Sequence, residues 1–245
     1  KIEERVQSVS QTLNLSSFLN MPARKLTADQ KQLISLGRGL VREDVAAVLM
    51  DEPLTVIDPD LKFKLRRSLK EINEQYKTTL VYVTHDQNEA MTFADNIIVM
   101  DQGEIVQVGL PKDLFEKPKT TFVGYFIGSP AMNLFNSEVV SNYSIKFSNL
   151  EINTKTDLSK IKNKKVKLGI RSEFIKIAND QKENVIDVKV SRVEDFGNFK
   201  LITGKIGEFE IKSKVERETP ISSENLKLFL PAEKCCVYSE ERLVQ

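Results

Sequence analysis

The apolar residues of the first half alternate between helical spacing and short continuous runs. Ile2, Val6, Val9 and Leu13 recur at helical spacing and predict an opening helix. It begins in the charged run Lys1-Ile2-Glu3-Glu4-Arg5, and Pro22 closes off the linker after it. A second helix is predicted from Thr27, with Leu33, Ile34, Leu40 and Val41 on one face. Val45–Met50 is continuously apolar, as expected of a strand buried on both faces of a parallel sheet. Leu61, Leu65, Leu69, Ile72 and Tyr76 mark a long amphipathic helix, and Leu80–Thr84 is the next strand. Asn96–Met100 and Glu104–Val108 flank Gln102-Gly103 and predict a hairpin.

Around Gly128-Ser129-Pro130 the pattern changes. Short alternating runs follow: Tyr143–Phe147, Val166–Ile170, Val185–Val193, Phe199–Thr203, Phe209–Lys212 and Leu226–Leu230. Turn residues separate them at intervals that suit a small barrel. A domain boundary is therefore expected near Met132, giving an α/β domain over residues 1–131 and an all-β domain over 132–245.

Composition narrows the classes. The chain has 245 residues and a formal net charge of +1, too little basic excess for a nucleic-acid footprint. Its apolar runs fall far short of the roughly 20 residues that span a bilayer, and no secretory leader opens it. Cys235 and Cys236 are adjacent, so they read as reduced cytosolic thiols rather than a bridge or a metal site.

The chemistry concentrates at two strand ends. The run Val45–Met50 ends in Asp51-Glu52, two carboxylates at the carboxyl end of a parallel strand, where ligands of open α/β folds sit. Asp51 suits Mg²⁺ held through its water shell, and Glu52 suits the orientation of an attacking water. Two solvated carboxylates at a strand end are the plain alternative. The next strand ends in His85, the only histidine in the protein. If the two strands are parallel neighbours joined by the intervening helix, His85 and Glu52 share one sheet edge.

These residues carry a resemblance. Leu49-Met50-Asp51-Glu52-Pro53 resembles a Walker B motif, Leu54-Thr55-Val56-Ile57-Asp58 a D-loop, and Thr84-His85-Asp86 the switch histidine of ABC ATPases. Val83-Thr84-His85-Asp86-Gln87, Glu89-Ala90-Met91-Thr92, Gly109-Leu110-Pro111, Phe126-Ile127-Gly128-Ser129-Pro130 and Met132-Asn133 are similar to the maltose and glycerol-phosphate importer branch. Gly169-Ile170-Arg171-Ser172-Glu173 resembles the regulatory barrel of that branch. The resemblance implies the C-terminal part of a P-loop NTPase-type α/β domain, followed by an OB-like barrel. It also implies ATP and Mg²⁺ as cofactors, Glu52 and His85 as hydrolytic residues and Asp58 as a link between paired sites. The partners implied are two membrane permease subunits and an extracytoplasmic solute-binding protein, at the cytoplasmic face of the inner (plasma) membrane.

Two departures from the family stand out. No G-x-x-x-x-G-K-[ST] loop occurs; the one Gly-Lys pair, Gly204-Lys205, is followed by Ile206. The expectation is a partial sequence that binds ATP poorly by itself. Where the family signature reads Leu-Ser-Gly-Gly-Gln, this chain has Leu26-Thr27-Ala28-Asp29-Gln30. In the family this helix start contacts the γ-phosphate held by the opposite subunit. There, Ala28 adds a methyl and Asp29 sets one anion beside another. Equally, Thr27-x-x-Gln30 is a capping box, and Asp29 suits the first turn of a helix. An impaired signature implies pairing with a second, non-identical ATPase, as in bacterial glycerol-uptake systems that carry two. The rival readings are a non-hydrolytic scaffold subunit, and an oligonucleotide-binding barrel in which Phe147, Phe174, Phe196, Phe199 and Phe209 stack bases.

Overall fold

A computed structural model describes residues 2–42, 45–161, 165–221 and 224–244. Lys1, with which the predicted opening helix starts, lies outside the described residues. The chain forms two compact units, divided between Ala94 and Asp95.

In the first unit, α1 (Ile2–Thr12) carries Glu3 and Glu4 in its first turn, where carboxylates complement the helix dipole. The next helix, α2 (Ala28–Leu40), is capped by Thr27, and α3 (Pro59–Tyr76) opens on a proline. Strands β1 (Ala47–Asp51) and β2 (Thr79–Val83) pair in parallel, and α4 (Gln87–Phe93) follows. Val9 and Leu13 from the first helix, Leu33, Leu36 and Leu40 from the second, and Leu65, Leu69 and Ile72 from the third meet Met50, Leu54 and Ile57 in one core. Arg5 fastens the first helix to the end of the second. Its Nη2 donates to the carbonyls of Leu40 (3.2 Å) and Arg42 (2.8 Å), while its guanidinium lies 3.9 Å from the Tyr76 ring centroid.

The strands are not buried on both faces as their apolar runs predict. Val48, Met50, Leu80 and Tyr82 turn towards the helices, whereas Leu49 (78% exposed), Val81 and Val83 face outward. Two strands with helices packed on one side cover a single face. The first strand starts at Ala47 rather than Val45, and the second stops at Val83, so His85 lies in the connection beyond it.

The second unit opens with the hairpin of β3 (Ile97–Asp101) and β4 (Glu104–Gly109). Gln102 and Gly103 have φ of 48° and 84°, the left-handed pair that a tight hairpin turn needs. Short helices α5 (Pro111–Glu116) and α6 (Thr121–Phe126) come next. Then follow β5 (Asn133–Val139), β6 (Ser144–Phe147), β7 (Leu150–Asn153), β8 (Lys165–Ile170), β9 (Lys176–Ile177), β10 (Val185–Asp195), β11 (Phe199–Ile206), β12 (Phe209–Glu216), β13 (Asn225–Phe229), β14 (Cys236–Ser239) and β15 (Arg242–Leu243). They form two sheets, ordered β15-β14-β8-β5-β6-β7 and β12-β11-β10-β13-β9. Phe135, Phe147, Leu168 and Val237 of one sheet share a core with Ile186, Val188, Ile211 and Leu228 of the other.

Asn133 stitches the two sheets at the edge of β12. Its Nδ2 donates to the Lys212 carbonyl (2.9 Å) and its Oδ1 accepts from the Lys212 amide (2.8 Å), imitating a strand rung. Phe147 is buried in the core, and Phe209 packs against that core. Phe174 does likewise and contacts Phe115. Of the proposed base-stacking set, only Phe196 is strongly exposed (56%), stacked on Phe199 at 4.9 Å. The aromatic platform of an oligonucleotide binder is not formed.

The compact units divide upstream of the change in hydrophobic pattern at Met132, and a buried arginine ties part of the intervening segment to the sheets. Arg171 is completely buried. Its Nε donates to the Phe115 carbonyl (2.9 Å) and its Nη1 to those of Gly124 (2.8 Å) and Ile127. It thereby serves carbonyls at the ends of both short helices, of which that of Gly124 also accepts from the Met132 amide at 3.2 Å, and its guanidinium lies 4.6 Å from the Phe115 ring centroid. Gly128 sits at φ 105°, and a β-carbon there would meet Arg171 Nη1 at 2.6 Å. Tyr238 adds a bond from its hydroxyl to the Pro118 carbonyl (3.0 Å), and Glu241 bonds Thr121 and Lys167. Residues 111–127 are thus fastened to the sheets that follow them. Arg171→Ala would leave the Phe115 and Ile127 carbonyls without the donor they have here, each costing about 1–3 kcal/mol. We expect it to lower the unfolding free energy of this unit by at least ~3 kcal/mol, measured by urea denaturation; an unchanged midpoint would contradict the clamp.

Candidate functional site

The parallel register sets Asp51 beside Val83. The pairing runs one rung further, because the Glu52 amide donates to the Val83 carbonyl at 2.9 Å. There the chain turns, with Glu52 at φ 44°, a left-handed conformation that is uncommon for a residue with a β-carbon. Thr55 closes the turn: its amide and hydroxyl both donate to the Glu52 carbonyl, at 3.3 and 3.1 Å. The strand end and the turn together aim the Glu52 side chain towards the chain leaving β2.

Glu52 and His85 meet there. Glu52 Oε1 lies 2.5 Å from His85 Nδ1, and Glu52 Oε2, 2.9 Å from the Thr55 hydroxyl, shares that hydroxyl's one hydrogen with the Glu52 carbonyl. The site is open: the His85 side chain is 73% exposed and that of Glu52 38%. The bond to His85, then the bond to Thr55, holds the Glu52 carboxyl below its ordinary value of 4.5. Contact with Glu52 raises His85 above its ordinary 6.5. Glu52 is therefore an ionised acceptor near neutrality, and with Nδ1 engaged the ring offers Nε2 to a further group.

Asp51 lies exposed at the end of the strand, next to this pair. Among the described residues no group of three or more His, Cys, Asp and Glu side chains forms a metal cage. One carboxylate fits Mg²⁺ only if water and phosphate oxygens complete the ion's shell. A cradle for the β- and γ-phosphates is not among these residues, since no Gly-rich loop ending in Gly-Lys-[Ser/Thr] occurs in the sequence. Gly204 and Lys205 lie within β11, paired to β12 through Ile211 and Glu210. Asp58 is exposed and directly precedes α3; its carbonyl accepts from the Lys62 amide at 2.9 Å.

The signature residues form a capping box. The Thr27 amide donates to Gln30 Oε1 (3.0 Å), and the Gln30 amide to the Thr27 hydroxyl (3.5 Å). The Thr27 hydroxyl donates to the Asp29 carboxylate. This bond first, and then the amides of Asp29 and Gln30, hold Asp29 below the ordinary carboxylate range. Asp29 thus folds back over its own helix start. Ala28 is exposed.

Sequence reasoning missed three supports. Thr55 holds the second oxygen of Glu52. Gln32 Nε2 donates to the Pro53 carbonyl (3.1 Å), tying the signature helix to the turn after Glu52. Glu89, quoted only as part of a motif, is buried. A carboxylate followed by a hydroxyl three positions on hints at the first; nothing in the local pattern signals the others.

The pair has a defined pH window. A raised His85 contributes stability fully below 6.5 and loses it as pH rises through its folded value. A lowered Glu52 contributes above 4.5 and loses it as pH falls through its folded value. The pH-linked contribution of the charged pair is therefore complete between 4.5 and 6.5. Because His85 is the only histidine, its ring signals in NMR report the contact directly. We expect a titration midpoint above 6.5 that returns to about 6.5 in Glu52→Gln; identical midpoints in the two proteins would show that the contact does not form.

The MalK OB fold domain matches residues 128–175 of the chain. The sn-glycerol-3-phosphate import ATP-binding protein UgpC of Escherichia coli is 35% identical over 245 residues, covering 98% of this chain and 68% of that protein. The oligosaccharides import ATP-binding protein MsmX of Bacillus subtilis is 34% identical over 233 residues, covering 91% of this chain and 63% of that protein. The solved structure of cbiO1 from Clostridium perfringens, part of the ABC transporter complex cbiONQ, is 25% identical with a TM-score of 0.43, over 47% of this chain and 45% of that one. The chain spans about two thirds of the length of the curated relatives it matches. With this identity running through the Glu52 and His85 strand ends and on into the OB-type sheets, the chain belongs to the family of ABC importer ATP-binding proteins.

Proposed function

We propose that this chain supplies the signature, Walker B, D-loop and switch-histidine portion of an ATP-hydrolysing importer subunit, over residues 1–131, with an OB-like regulatory domain over 132–245. The observation that carries the reading is the contact of Glu52 with His85 at the shared edge of two parallel strands. Glu52, ionised and steadied by Thr55, orients the attacking water and accepts its proton. His85, engaged through Nδ1, donates from Nε2–H to a phosphoryl oxygen when its ring is protonated, which the contact with Glu52 favours. Asp51 would hold Mg²⁺ through its water shell, and Asp58 lies in the stretch that resembles the D-loop linking paired sites. When bound, ATP and Mg²⁺ supply the phosphoanhydride and the charge neutralisation around it.

We read the solute as a carbohydrate or polyol, with glycerol phosphate and glycerol among the candidates; the relatives named for sn-glycerol-3-phosphate and oligosaccharide import support that class. Two permease subunits and an extracytoplasmic solute-binding protein complete the importer, with this subunit peripheral at the cytoplasmic face of the inner membrane. Asp29 favours pairing with a second, non-identical ATPase, because its carboxylate already occupies the helix start that a homodimer would turn towards nucleotide in trans.

Solute uptake by cells carrying the whole protein tests the reading. Glu52→Gln is expected to reduce uptake by ~100-fold or more, the scale of a lost general base. Unchanged uptake would favour the non-hydrolytic scaffold. For the pairing, ATP turnover by the purified whole protein alone should fall well below its rate alongside a second ATPase; equal rates would contradict the hetero-pair.

A further inference from the structure

Glu89 is only 3% exposed, and its carboxylate joins three elements. Oε2 accepts from the Tyr82 hydroxyl (2.8 Å) and the Thr84 hydroxyl (2.9 Å), on β2 and just beyond it. Oε1 faces Lys62 Nζ (3.4 Å) and Arg66 Nη1 (3.9 Å) of α3. Glu89 itself belongs to α4. One turn further along the third helix, Lys70 donates to the Thr92 carbonyl at 2.8 Å. Lys62, Arg66 and Lys70 therefore form a basic stripe at helical spacing that docks the fourth helix along its length.

This network surrounds His85. The Thr84 hydroxyl, while donating to Glu89, accepts from the Asp86 amide at 3.0 Å. Asp86 in turn caps α4 through the amides of Asn88 (2.8 Å) and Glu89 (3.3 Å). Both neighbours of His85 are thus held by a bond network that ends on one buried carboxylate. The ring itself is exposed, and among the described residues Glu52 is the side chain that bonds it. An exposed ring of this kind takes its position from its backbone. A buried ion pair adds little stability over an apolar replacement, so stability alone is a weak reason for a carboxylate here.

We propose that Glu89 is a positioning residue for His85: it fixes Thr84 and α4 against α3, and so holds the imidazole within reach of Glu52. The functional meaning rests on the reading of Glu52 and His85 as the hydrolytic pair, but the contact itself can be measured without nucleotide. The charged groups facing His85 are Glu52 from the end of β1 and Asp86 and Glu89 from its own side; Lys62 of α3 acts on Glu52.

The test is NMR titration of His85 in the 245-residue chain carrying Glu89→Gln or Thr84→Val. Glu89→Gln removes a nearby charge as well as the clamp, so a lower midpoint in that variant alone has two causes. Thr84→Val leaves the Glu89 charge in place, is nearly isosteric and breaks only the bridge. We expect both variants to lower the His85 midpoint towards 6.5 while the backbone spectrum stays folded. A midpoint in Thr84→Val equal to the unsubstituted chain's would overturn the proposal, whatever Glu89→Gln does. If Glu89→Gln does not fold, Thr84→Val decides alone. Loss of uptake in Glu52→Gln is unaffected by either result, so the two readings can fail separately.

Discussion

The parallel register of β1 and β2 is the constraint on which the site depends. Pairing Asp51 with Val83 and extending the ladder to the Glu52 amide brings two chain segments off the sheet at one edge. A one-residue slip would carry each side chain to the opposite face. Met50 would leave the core, and Glu52 would no longer face the connection that carries His85. The buried set on α3 holds that register, because Leu65, Leu69 and Ile72 pack in the same core as Met50. Geometry at the edge is thus secured by hydrophobic burial several residues away from any functional group.

Each compact unit also contains a buried ionic group that organises a connecting segment. In the first, Glu89 collects donors from two strand-end residues and two helix cations. In the second, Arg171 collects carbonyls from the ends of two short helices. Both groups carry more hydrogen bonds than a core packing role requires, and burial lowers the arginine's proton affinity as its largest influence. Such groups specify how a segment sits better than they stabilise it. In the second unit this fastens residues 111–127 to the sheets that follow them.

Much of this was legible in residue patterns. The long helix announced itself through Leu61, Leu65, Leu69 and Ile72, and the hairpin through Gln102-Gly103, because one periodicity or one turn pair decides each. The meeting of Glu52 and His85 followed from two strand ends and one intervening helix. Strand burial was misread, since the apolar runs before Asp51 and at Leu80–Thr84 look the same whether one face or two are covered. Asn133–Val139 and Cys236–Ser239 were missed as strands, their polar and cysteine positions blurring the alternation. At Asp29 the sequence allowed both a repelled phosphate and a capped helix. The structure has the capped helix, with Thr27 as the cap and its hydroxyl bonded to the Asp29 carboxylate.

The central claim is that Glu52 accepts a hydrogen bond from Nδ1 of His85. An ionised carboxylate can only accept, so above its titration midpoint the neutral imidazole must keep its proton on Nδ1. The tautomer of the single histidine, read from long-range ¹H–¹⁵N correlations in the 245-residue chain at a pH above that midpoint, is the most direct measurement. We expect the Nδ1–H form to dominate. A ring that is predominantly Nε2–H, as for a histidine free in water, would contradict it and with it the geometry assigned to the site.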